Sequence, residues 1–410
     1  MVQCDIDADG LTIYDLSTTD ANLKNNDVNI TKTTWHSNLT DAQNSTNAIT
    51  NLTSFSNSSP NQVLYVKASS KYACSKIATV TMSTATTVVP SPSPIAICDE
   101  DAIQDGLHPF NLGALVTPQL LNGLPSGLAA DYYLSFADAL VEKNKIGPIF
   151  TNTQAFQQTI YTRIKNGLDC YGITPVTLVV NTFDPVNFEE ETTFLCTGSN
   201  LNLSVDSRFS SYLWNTGATT AAITVQQAGT YTITVTNDKG CKKTKTFIVK
   251  ASEKATYENA TVKDFAGNKN SITINYKGIG NYEFSLDGTS YQDNATFTNV
   301  APGSYTISIR DKNGCGITTS DLIYVLDYPR FFTPNGDGFN DTWKINNLGS
   351  LPQSRIVIFD RYGKLLKELT TADDSWNGTF TGAPLPSDDY WFQLIFADGK
   401  IIKGHFSLKR

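Results

Sequence analysis

Residues 229–241 read GTYTITVTNDKGC, and residues 303–315 read GSYTISIRDKNGC. In the first segment Tyr231, Ile233 and Val235 alternate with threonines, which is the pattern of a strand with one buried face. A cysteine closes both segments at the same position. The two segments therefore predict the same β-strand, followed by a cysteine, in two successive domains.

The composition of the whole chain also favours β-structure. Its 410 residues are 40% apolar and 17% charged, which is typical of folded protein, and they include 18 tyrosines but two methionines. Helical periodicity does not extend beyond about ten residues. We expect an all-β protein, a tandem array of small, immunoglobulin-like β-sandwich domains.

The immunoglobulin-like expectation comes from residues 185–251, the third predicted domain. Trp214 follows Cys196 by 18 residues and precedes Cys241. In immunoglobulin-like sandwiches a tryptophan in this position packs on the disulfide between the two sheets. We therefore expect Trp214 in the core, beside a bridge of Cys196 and Cys241.

Cysteine spacing indicates two further domains upstream. Cys4 and Cys74 are 70 residues apart, and Cys98 and Cys170 are 72 apart. Short segments inside the two spans also match, such as Tyr-Val-Lys at 65–67 and Tyr-Thr-Arg at 161–163. This self-similarity predicts tandem domains at residues 1–90 and 91–184, with a strand rather than a helix at 159–164. The prolines at positions 90, 92 and 94 predict an extended spacer between them.

The seven cysteines show neither CxxC pairs nor the Cys/His clustering of zinc sites. Disulfides are therefore favoured, and they are typical of exported proteins. Because the repeats align, each bridge is predicted inside one domain. The predicted pairs are Cys4 with Cys74, Cys98 with Cys170 and Cys196 with Cys241.

Residues 252–326 are the fourth predicted domain. Its segments YEFSLDG (282–288) and FTNVAPGSY (297–305) resemble the repeat unit of the gliding adhesin SprB and related Bacteroidota surface proteins. Such units carry a partner cysteine near the first strand, and residues 255–263 contain none. The resemblance therefore implies that Cys315 is an unpaired thiol, buried as a small apolar group.

The tail begins with FFTPNGDGFNDTW at residues 331–343. Glycine, proline, Asn and Asp in this run predict a tight turn between two apolar segments. Asp398-Gly399 predicts a hairpin further on. Alternation and turn residues predict a small sandwich that includes strands at 355–359, 364–369, 390–396 and 400–408.

The tail, residues 327–410, resembles the gliding-motility-associated C-terminal domain, the type B sorting domain of the type IX secretion system of Bacteroidota. The resemblance is carried by FTPNGDGFNDTW (332–343), IVIFDRYG (356–363), WNG (376–378) and GHFSLKR (404–410). It implies two partners, the type IX machinery and an outer-membrane or surface attachment partner. The implied sorting residues are Thr333, Pro334, Asn335, Gly336, Asp337, Gly338, Asn340, Asp341, Arg361, Gly363, Trp376, Gly378, Gly404, Lys409 and Arg410.

Two oxygen-rich turns are calcium candidates, and we expect no other cofactor. One set is Asp5, Asp7 and Asp9. It follows the first half of an EF-hand loop, although Leu16 stands where the bidentate glutamate belongs. The other set is Asn335, Asp337, Asn340 and Asp341. The alternative for this second turn is a set of Asx hydrogen bonds without an ion.

Several function classes are disfavoured. The net charge is −8, and the tail from Tyr328 has ten basic against nine acidic residues, so the acidic part is upstream. This charge removes the attraction on which nucleic-acid binding depends. The sequence has no apolar run long enough for a membrane-spanning helix and no nucleophile-elbow, zinc-protease or P-loop motif. Four tryptophans are weak carbohydrate-binding candidates and stronger packing candidates: Trp35, Trp343, Trp376 and Trp391.

We therefore expect a non-enzymatic extracellular protein at the cell surface, associated with the outer membrane. Its expected role is the C-terminal stalk and sorting end of a large adhesin, exported by type IX secretion and involved in gliding or adhesion. Val2-Gln3-Cys4 enters a repeat directly, so we expect further protein upstream. Two alternatives stay open: the non-catalytic tail of a secreted polysaccharide-degrading enzyme, and an array of modules that binds surface polysaccharides.

Overall fold

The computed structural model describes residues 1–5, 7–24, 26–101, 103–345, 347–350, 353–370 and 375–410. These residues form two compact units. Unit 1 comprises residues 1–189, 206–220 and 232–245, and unit 2 comprises 190–205, 221–231 and 246–410. Strands dominate both units, which confirms the predicted all-β class. The five predicted domains remain a prediction and serve below as labels, domain 1 to domain 5.

Domain 1 folds around Trp35, whose side chain is fully buried and donates from Nε1 to Asp20 Oδ1 at 3.1 Å. Strands β3, β5 and β6 form an antiparallel sheet, and β1 pairs with β7 in parallel. The elements are β1 (Val2–Cys4), β2 (Ile13–Tyr14), α1 (Leu16–Lys24), β3 (Ile30–His36), α2 (Leu39–Asn44), β4 (Phe55–Ser56), β5 (Val63–Ser70), β6 (Ser75–Thr81) and β7 (Ser83–Ala85).

Domain 2 repeats this plan. Its elements are β8 (Ile95–Cys98), β9 (Pro109–Asn111), α3 (Leu112–Leu115), α4 (Thr117–Leu121), β10 (Ala129–Tyr133), α5 (Phe136–Val141), β11 (Ile149–Thr151), β12 (Gln157–Asn166) and β13 (Asp169–Asn181). Helices α2 and α5 correspond, because each begins with the same kind of side-chain cap. The side chain of Asn38 accepts a hydrogen bond from Asp41 N, and that of Ser135 accepts one from Asp138 N. The strand predicted at 159–164 is confirmed.

Domain 3 contains the first of the two matching strands that the sequence predicts. Its elements are β14 (Glu191–Cys196), β15 (Leu201–Ser204), β16 (Ser211–Trp214), β17 (Ala222–Val225), β18 (Gly229–Thr236) and β19 (Lys242–Ser252). Ile233 and Val235 of β18 are fully buried, as the alternation predicts. Trp214 is also buried, and its Nε1 donates to Thr220 O at 2.8 Å, so its predicted core position is confirmed.

Domain 4 is built from two three-stranded sheets, β20-β21-β23 and β22-β24-β25. The second matching strand is β24, with Ile307 and Ile309 fully buried. The elements are β20 (Thr256–Lys263), a 3₁₀ turn (Gly267–Lys269), β21 (Ser271–Lys277), β22 (Tyr282–Ser285), β23 (Thr296–Thr298), β24 (Gly303–Asp311) and β25 (Gly316–Val325).

Domain 5 is organised by one five-stranded sheet with the order β26-β32-β31-β27-β28. Its elements are β26 (Phe331–Phe332), a 3₁₀ turn (Leu348–Ser350), β27 (Arg355–Phe359), β28 (Leu365–Leu369), β29 (Thr379–Phe380), β30 (Ala383–Pro384), β31 (Asp388–Ile395) and β32 (Ile401–Leu408). The hairpin predicted at Asp398-Gly399 joins β31 to β32, with Gly399 at φ +86°.

The core of domain 5 is aromatic. Trp343 is fully buried, stacks on Phe406 with ring centroids 3.9 Å apart, and donates from Nε1 to Pro329 O at 2.9 Å. Its backbone exchanges two 2.8 Å hydrogen bonds with Trp376. Trp35, Trp343 and Trp376 are therefore packing residues, whereas Trp391 on β31 is 40% exposed.

Replacing Trp343 with alanine is expected to destabilise domain 5 strongly. Loss of a buried tryptophan costs about 3–5 kcal/mol through lost contacts and the cavity left behind. Calorimetric melting of the full chain should show one transition moved to lower temperature. Trp391→Ala, on the exposed face of the same sheet, is the control and should change that transition little. Equal shifts for the two variants would contradict the assignment of Trp343 to the core.

Candidate functional site: the disulfide ladder and the sorting end

The first strand of each of domains 1, 2 and 3 pairs in parallel with the last strand of the same domain. Each first strand ends in a cysteine, and that cysteine lies opposite the end of the last strand. The opposed pairs are Cys4 with Ala85, Cys98 with Asn181 and Cys196 with Ser252. These three strand-end cysteines therefore lie at the exit end of each domain, where the chain leaves for the next one.

The other four cysteines lie in the hairpin before the last long strand of their domain, or at the start of that strand, which we call the closing strand. Cys74, Cys241 and Cys315 directly precede β6, β19 and β25, and Cys170 is the second residue of β13. The hairpins are alike: Cys74 O accepts from Ser70 N at 2.8 Å, and Cys241 O accepts from Asn237 N at 3.0 Å. Each closing strand begins at its hairpin and runs toward the exit end of the domain. These hairpin cysteines therefore lie at the opposite end, which we call the entry end.

The length of the closing strand keeps the two cysteines of one domain apart. In domain 2, β13 continues from Cys170 to Asn181, which lies opposite Cys98. Eleven residues of strand span about 36 Å. A disulfide needs α-carbons within about 7 Å. The predicted bridge between Cys98 and Cys170 is therefore excluded by the direction of the strands.

The bridges instead join successive domains. The pairs are Cys4 with Cys170, Cys98 with Cys241 and Cys196 with Cys315, with Cα–Cα distances of 5.3, 5.4 and 5.3 Å. All three predicted pairs are wrong. The prediction for Cys315 is also wrong, because it is bridged and Cys74 is the exposed free thiol. Since Cys196 and Cys241 are not joined, Trp214 does not pack on a bridge between them. We call the three inter-domain bridges the disulfide ladder.

Polar contacts support the first bridge. Arg163, only 2% exposed, donates from Nη1 to Gln3 Oε1 of domain 1 at 2.7 Å. Gln3 Nε2 donates to Leu140 O at 2.6 Å, and Glu142 pairs with Arg163 at 3.0 Å. A buried guanidinium needs such partners. Sequence reasoning missed this contact, because the repeat pattern that contains Gln3 and Arg163 does not show that one binds the other.

The third bridge has a similar setting in unit 2. Asp311 Oδ2 accepts from Ser252 Oγ at 2.8 Å and from the amide of Cys315 at 3.2 Å. Asn313 Nδ2 donates to the same Ser252 hydroxyl at 3.1 Å. Ser252, which lies opposite Cys196, therefore also binds the hairpin that carries Cys315.

Domain 5 has no cysteine, and its junction with domain 4 is formed by packing. Phe265 and Tyr324 of domain 4 pack against the core of domain 5. Arg330 Nη2 donates to Phe265 O at 3.1 Å, and Phe265 N donates to Leu326 O at 3.0 Å. Part of the domain 5 core therefore depends on side chains from domain 4.

Most of the implied sorting residues lie at one end of the domain 5 sheet. Phe332 pairs with Leu408 at the end of β32, so the loop after β26 and the last two residues start from the same edge. The 360–364 turn reaches this end too, because Arg361 forms an ion pair with Asp388, the partner of Leu408. We call this end, with residues 333–341, 360–363 and 409–410, the sorting end.

The loop of the sorting end is held by Asx hydrogen bonds. Asp341 accepts from Gly336 N at 2.7 Å and from Gly338 N at 2.8 Å, one with each carboxylate oxygen. Asp337 accepts from Phe339 N at 2.7 Å and from Asn335 Nδ2 at 2.8 Å. These bonds lower the pKa of Asp337, so they stabilise the loop above the usual aspartate pKa and are lost as acid protonates it.

The sorting end also exposes aromatic and basic side chains. Phe339 is 76% exposed and Tyr362 is 86% exposed. The exposed Lys409 places Nζ 4.7 Å from the ring centroid of Phe331, and Arg410 donates from Nε to Leu385 O at 3.0 Å. The last two residues are thus tied to the sandwich.

Three of the implied sorting residues act through packing. Trp376 is buried in the domain 5 core. Gly378 has φ +76°, and a Cβ there would lie 2.5 Å from Leu408 Cδ1. A Cβ on Gly404 would lie 2.6 Å from Phe392 Cε1. These positions preserve the fold that presents the sorting end.

The other calcium candidate is a close acidic cluster in domain 1. The carboxylates of Asp5, Asp7 and Asp9 offer oxygens within 4.8 Å of one another. Asp5 Oδ2 accepts from Gly10 N at 2.8 Å, and in domain 2 Asp99 Oδ2 accepts from Gly106 N at 2.9 Å in the same way. An aspartate that accepts a hydrogen bond from a glycine amide is thus common to both repeats, and calcium at either candidate site stays a prediction.

The disulfide ladder predicts a specific change in thiol count. The unreduced chain should bind one maleimide, at Cys74. Cys98→Ser should raise this to two, with the new adduct on Cys241 rather than on Cys170. Denaturing mass spectrometry with peptide mapping measures both. A new adduct on Cys170 would contradict the ladder, and Cys74→Ser, with no adduct, is the control.

Calcium is predicted to stabilise the sorting-end loop through Asp337 and Asp341. A ligand that binds only the folded state adds RT ln(1 + [L]/Kd), about 2.7 kcal/mol at one hundred times Kd. Calcium added to chelator-treated full chain should raise the melting temperature of domain 5, and Asp337→Ala should remove that rise. An unchanged melting temperature of the unsubstituted chain would leave the loop held by Asx bonds alone. Asp398→Ala, at the opposite end of the sheet, is the control.

Comparison with known families gives two matches. Residues 1–89 and 94–185 each match the model of the Flavobacterium inter-domain disulphide bond domain. Residues 326–407 match the model of the CHU_C type IX secretion signal domain. A search of curated proteins finds no match.

Solved structures that resemble the chain are tandem immunoglobulin-domain proteins. The eight N-terminal domains of Down syndrome cell adhesion molecule are 11% identical, with a TM-score of 0.24, 93% of this chain and 56% of that one covered. Sidekick-1 domains 1–5 are 9% identical, with a TM-score of 0.25, 92% and 91% covered. Murine CEACAM1b is 14% identical, with a TM-score of 0.25, 32% and 94% covered. The chain thus spans about half of the length of the first of these structures.

None of the described helices is long and apolar enough to cross a membrane. The inter-domain disulphide model agrees with the ladder, in which the first two domains each place a cysteine at the exit end. The two family matches together support a Bacteroidota protein with a type IX secretion signal at its C-terminus, exported to the cell surface or the extracellular space.

Proposed function

We propose that the chain is the stalk and sorting end of a large, non-catalytic surface adhesin that acts in gliding or attachment. The observation that carries the proposal is the combination of a type IX secretion signal domain with upstream domains that are bridged in succession. The tail supplies the export signal. The bridged domains supply a covalently reinforced connection to whatever lies upstream.

The sorting end is the proposed contact with the type IX machinery and with the partner that holds the protein at the outer membrane. Its exposed side chains include Phe339, Tyr362, Arg361 and Lys409. Domain 5 as a whole is near neutral, with ten basic and nine acidic residues from Tyr328 onward. Recognition by shape and hydrogen bonds therefore fits this surface better than attraction to a charged patch.

The placement of the histidine and acidic side chains favours a non-catalytic role. His36 is buried and bonded within domain 1, to Thr46 O at 2.8 Å and Thr34 Oγ1 at 2.9 Å. Within the described part of the chain, Asp5, Asp7 and Asp9 are the set of acidic, His or Cys side chains close enough to share an ion. The two open alternatives predict different observations. A polysaccharide-binding array would retain the full chain on a glycan array, and an enzyme tail would follow a catalytic domain with a deep cleft.

Export is tested with a fluorescent reporter fused before Ser252 in a gliding Bacteroidota host. Residues 252–410 should display the reporter, and deletion of 401–410 should reduce display to background. That deletion removes β32, which pairs with both β26 and β31 and buries Phe406 and Leu408. A reporter on residues 327–410 alone should display less well, because Phe265 and Tyr324 would be missing.

Point variants separate recognition from folding in the same assay. Arg361→Ala changes the sorting end, and Lys403→Ala changes the exposed middle of β32 as a matched control. We expect reduced display for Arg361→Ala and normal display for the control, at equal melting temperatures. Display of the β32 deletion, or display in a host without type IX secretion, would overturn the assignment.

A further inference from the structure

The free thiol of Cys74 occupies a position whose equivalents in domains 2, 3 and 4 are all bridged. Cys170, Cys241 and Cys315 start the closing strands of domains 2, 3 and 4, and each is joined to the strand-end cysteine of the domain before it. Cys74 starts the closing strand of domain 1 in the same way and is exposed. By contrast, the bridged Cys170 and Cys241 are buried.

A second, independent feature of domain 1 corresponds to the docking contact of domain 2. In domain 2, Arg163 and the carbonyl of Leu140, near the end of α5, receive Gln3 of the preceding domain. The matching segments at 65–67 and 161–163 place Lys67 at the position of Arg163. The corresponding helix caps Asn38 and Ser135 place Gln43 at the position of Leu140. Lys67 Nζ donates to Gln43 O at 2.9 Å and to Ser45 Oγ at 2.8 Å, so the cation and the helix-end carbonyl are assembled in domain 1 too.

We propose that Cys74 is the attachment point for one more domain of the same type, joined by a disulfide from its strand-end cysteine. The entry end of domain 1, with Cys74, Lys67 and Gln43 O, is the surface that receives it. A second copy of this chain cannot supply the partner thiol in its bridged form, because its strand-end cysteines Cys4, Cys98 and Cys196 are all engaged.

The ladder therefore has a direction. Domain 4 has a hairpin cysteine and no strand-end cysteine, and domain 5 has no cysteine, so the ladder closes before the sorting domain. At the other end, the hairpin cysteine of domain 1, Cys74, has no bridge.

Forming the proposed bridge removes two protons and two electrons from two thiols. A disulfide-bearing oxidoreductase accepts them and becomes a dithiol.

The direct test extends the chain by a copy of residues 1–94 placed before Met1. This preserves the natural spacing, because Cys98 is the fourth residue after position 94 and Cys4 is the fourth residue of the chain. The added copy carries Cys74→Ser, so its strand-end cysteine, Cys4 of the copy, is the one thiol that the extension adds. Expressed in an oxidising periplasm, the extended chain should bind no maleimide, whereas the parent chain binds one.

The matched control is the same extended chain with Cys4→Ser in the copy, which should again bind one maleimide, at Cys74. Peptide mapping without reduction should find the Cys4 peptide of the copy joined to the Cys74 peptide, with the original three bridges intact. Two free thiols beside those intact bridges would overturn the proposal.

A second measurement does not depend on folding of the added copy. The full-length protein is isolated from its own cells and alkylated without reduction. The Cys74 peptide should be joined to a cysteine peptide from another domain, outside residues 1–410. Recovery of that peptide as a free alkylated thiol, or as a Cys74–Cys74 dimer, would show that no such domain is attached.

Discussion

Parallel pairing between the first and last strands of a domain is the constraint on which the rest of this structure depends. It places the end of the first strand beside the end of the last, so Cys98 lies opposite Asn181. The other cysteine of the domain begins the closing strand, about 36 Å away along β13. The two thiols of one domain therefore cannot reach each other, and both lie where a neighbouring domain begins or ends. Inter-domain bridges follow from this geometry.

Local patterns in the sequence predicted much of the fold. Alternation located β27 at residues 355–359, and self-similarity located the strand of domain 2 that composition alone would make a helix. The cysteine pairing depends on strand direction, which alternation does not contain. The number of cysteines did not help, because seven cysteines leave one unpaired whether the bridges lie within domains or between them. The immunoglobulin analogy failed because Cys196 ends an edge strand instead of facing Cys241 across two sheets.

The sorting residues show a similar limit. The resemblance named positions in domain 5 without separating recognition from folding. In the structure Trp376, Gly378 and Gly404 fill or border the core, while residues 333–341 and Arg361 meet at one end. Local chemistry had already indicated the Asx turn, because Asn, Asp and glycine at these spacings bind their own backbone. Only strand register could bring the two turns and the C-terminus together.

The ladder changes how a pulling force would travel through the chain. Tension applied at Met1 passes from Cys4 to Cys170, follows the backbone to Cys196 and crosses to Cys315. Residues 5–169 and 197–314 lie outside this shortest covalent route. The route contains about 124 peptide steps and, at about 3.5 Å per residue, extends to about 430 Å, against about 1,400 Å for the whole backbone. Most of the protein is thus shielded from stretching, whereas everything after Cys315, including the whole sorting domain, bears tension without a covalent bypass.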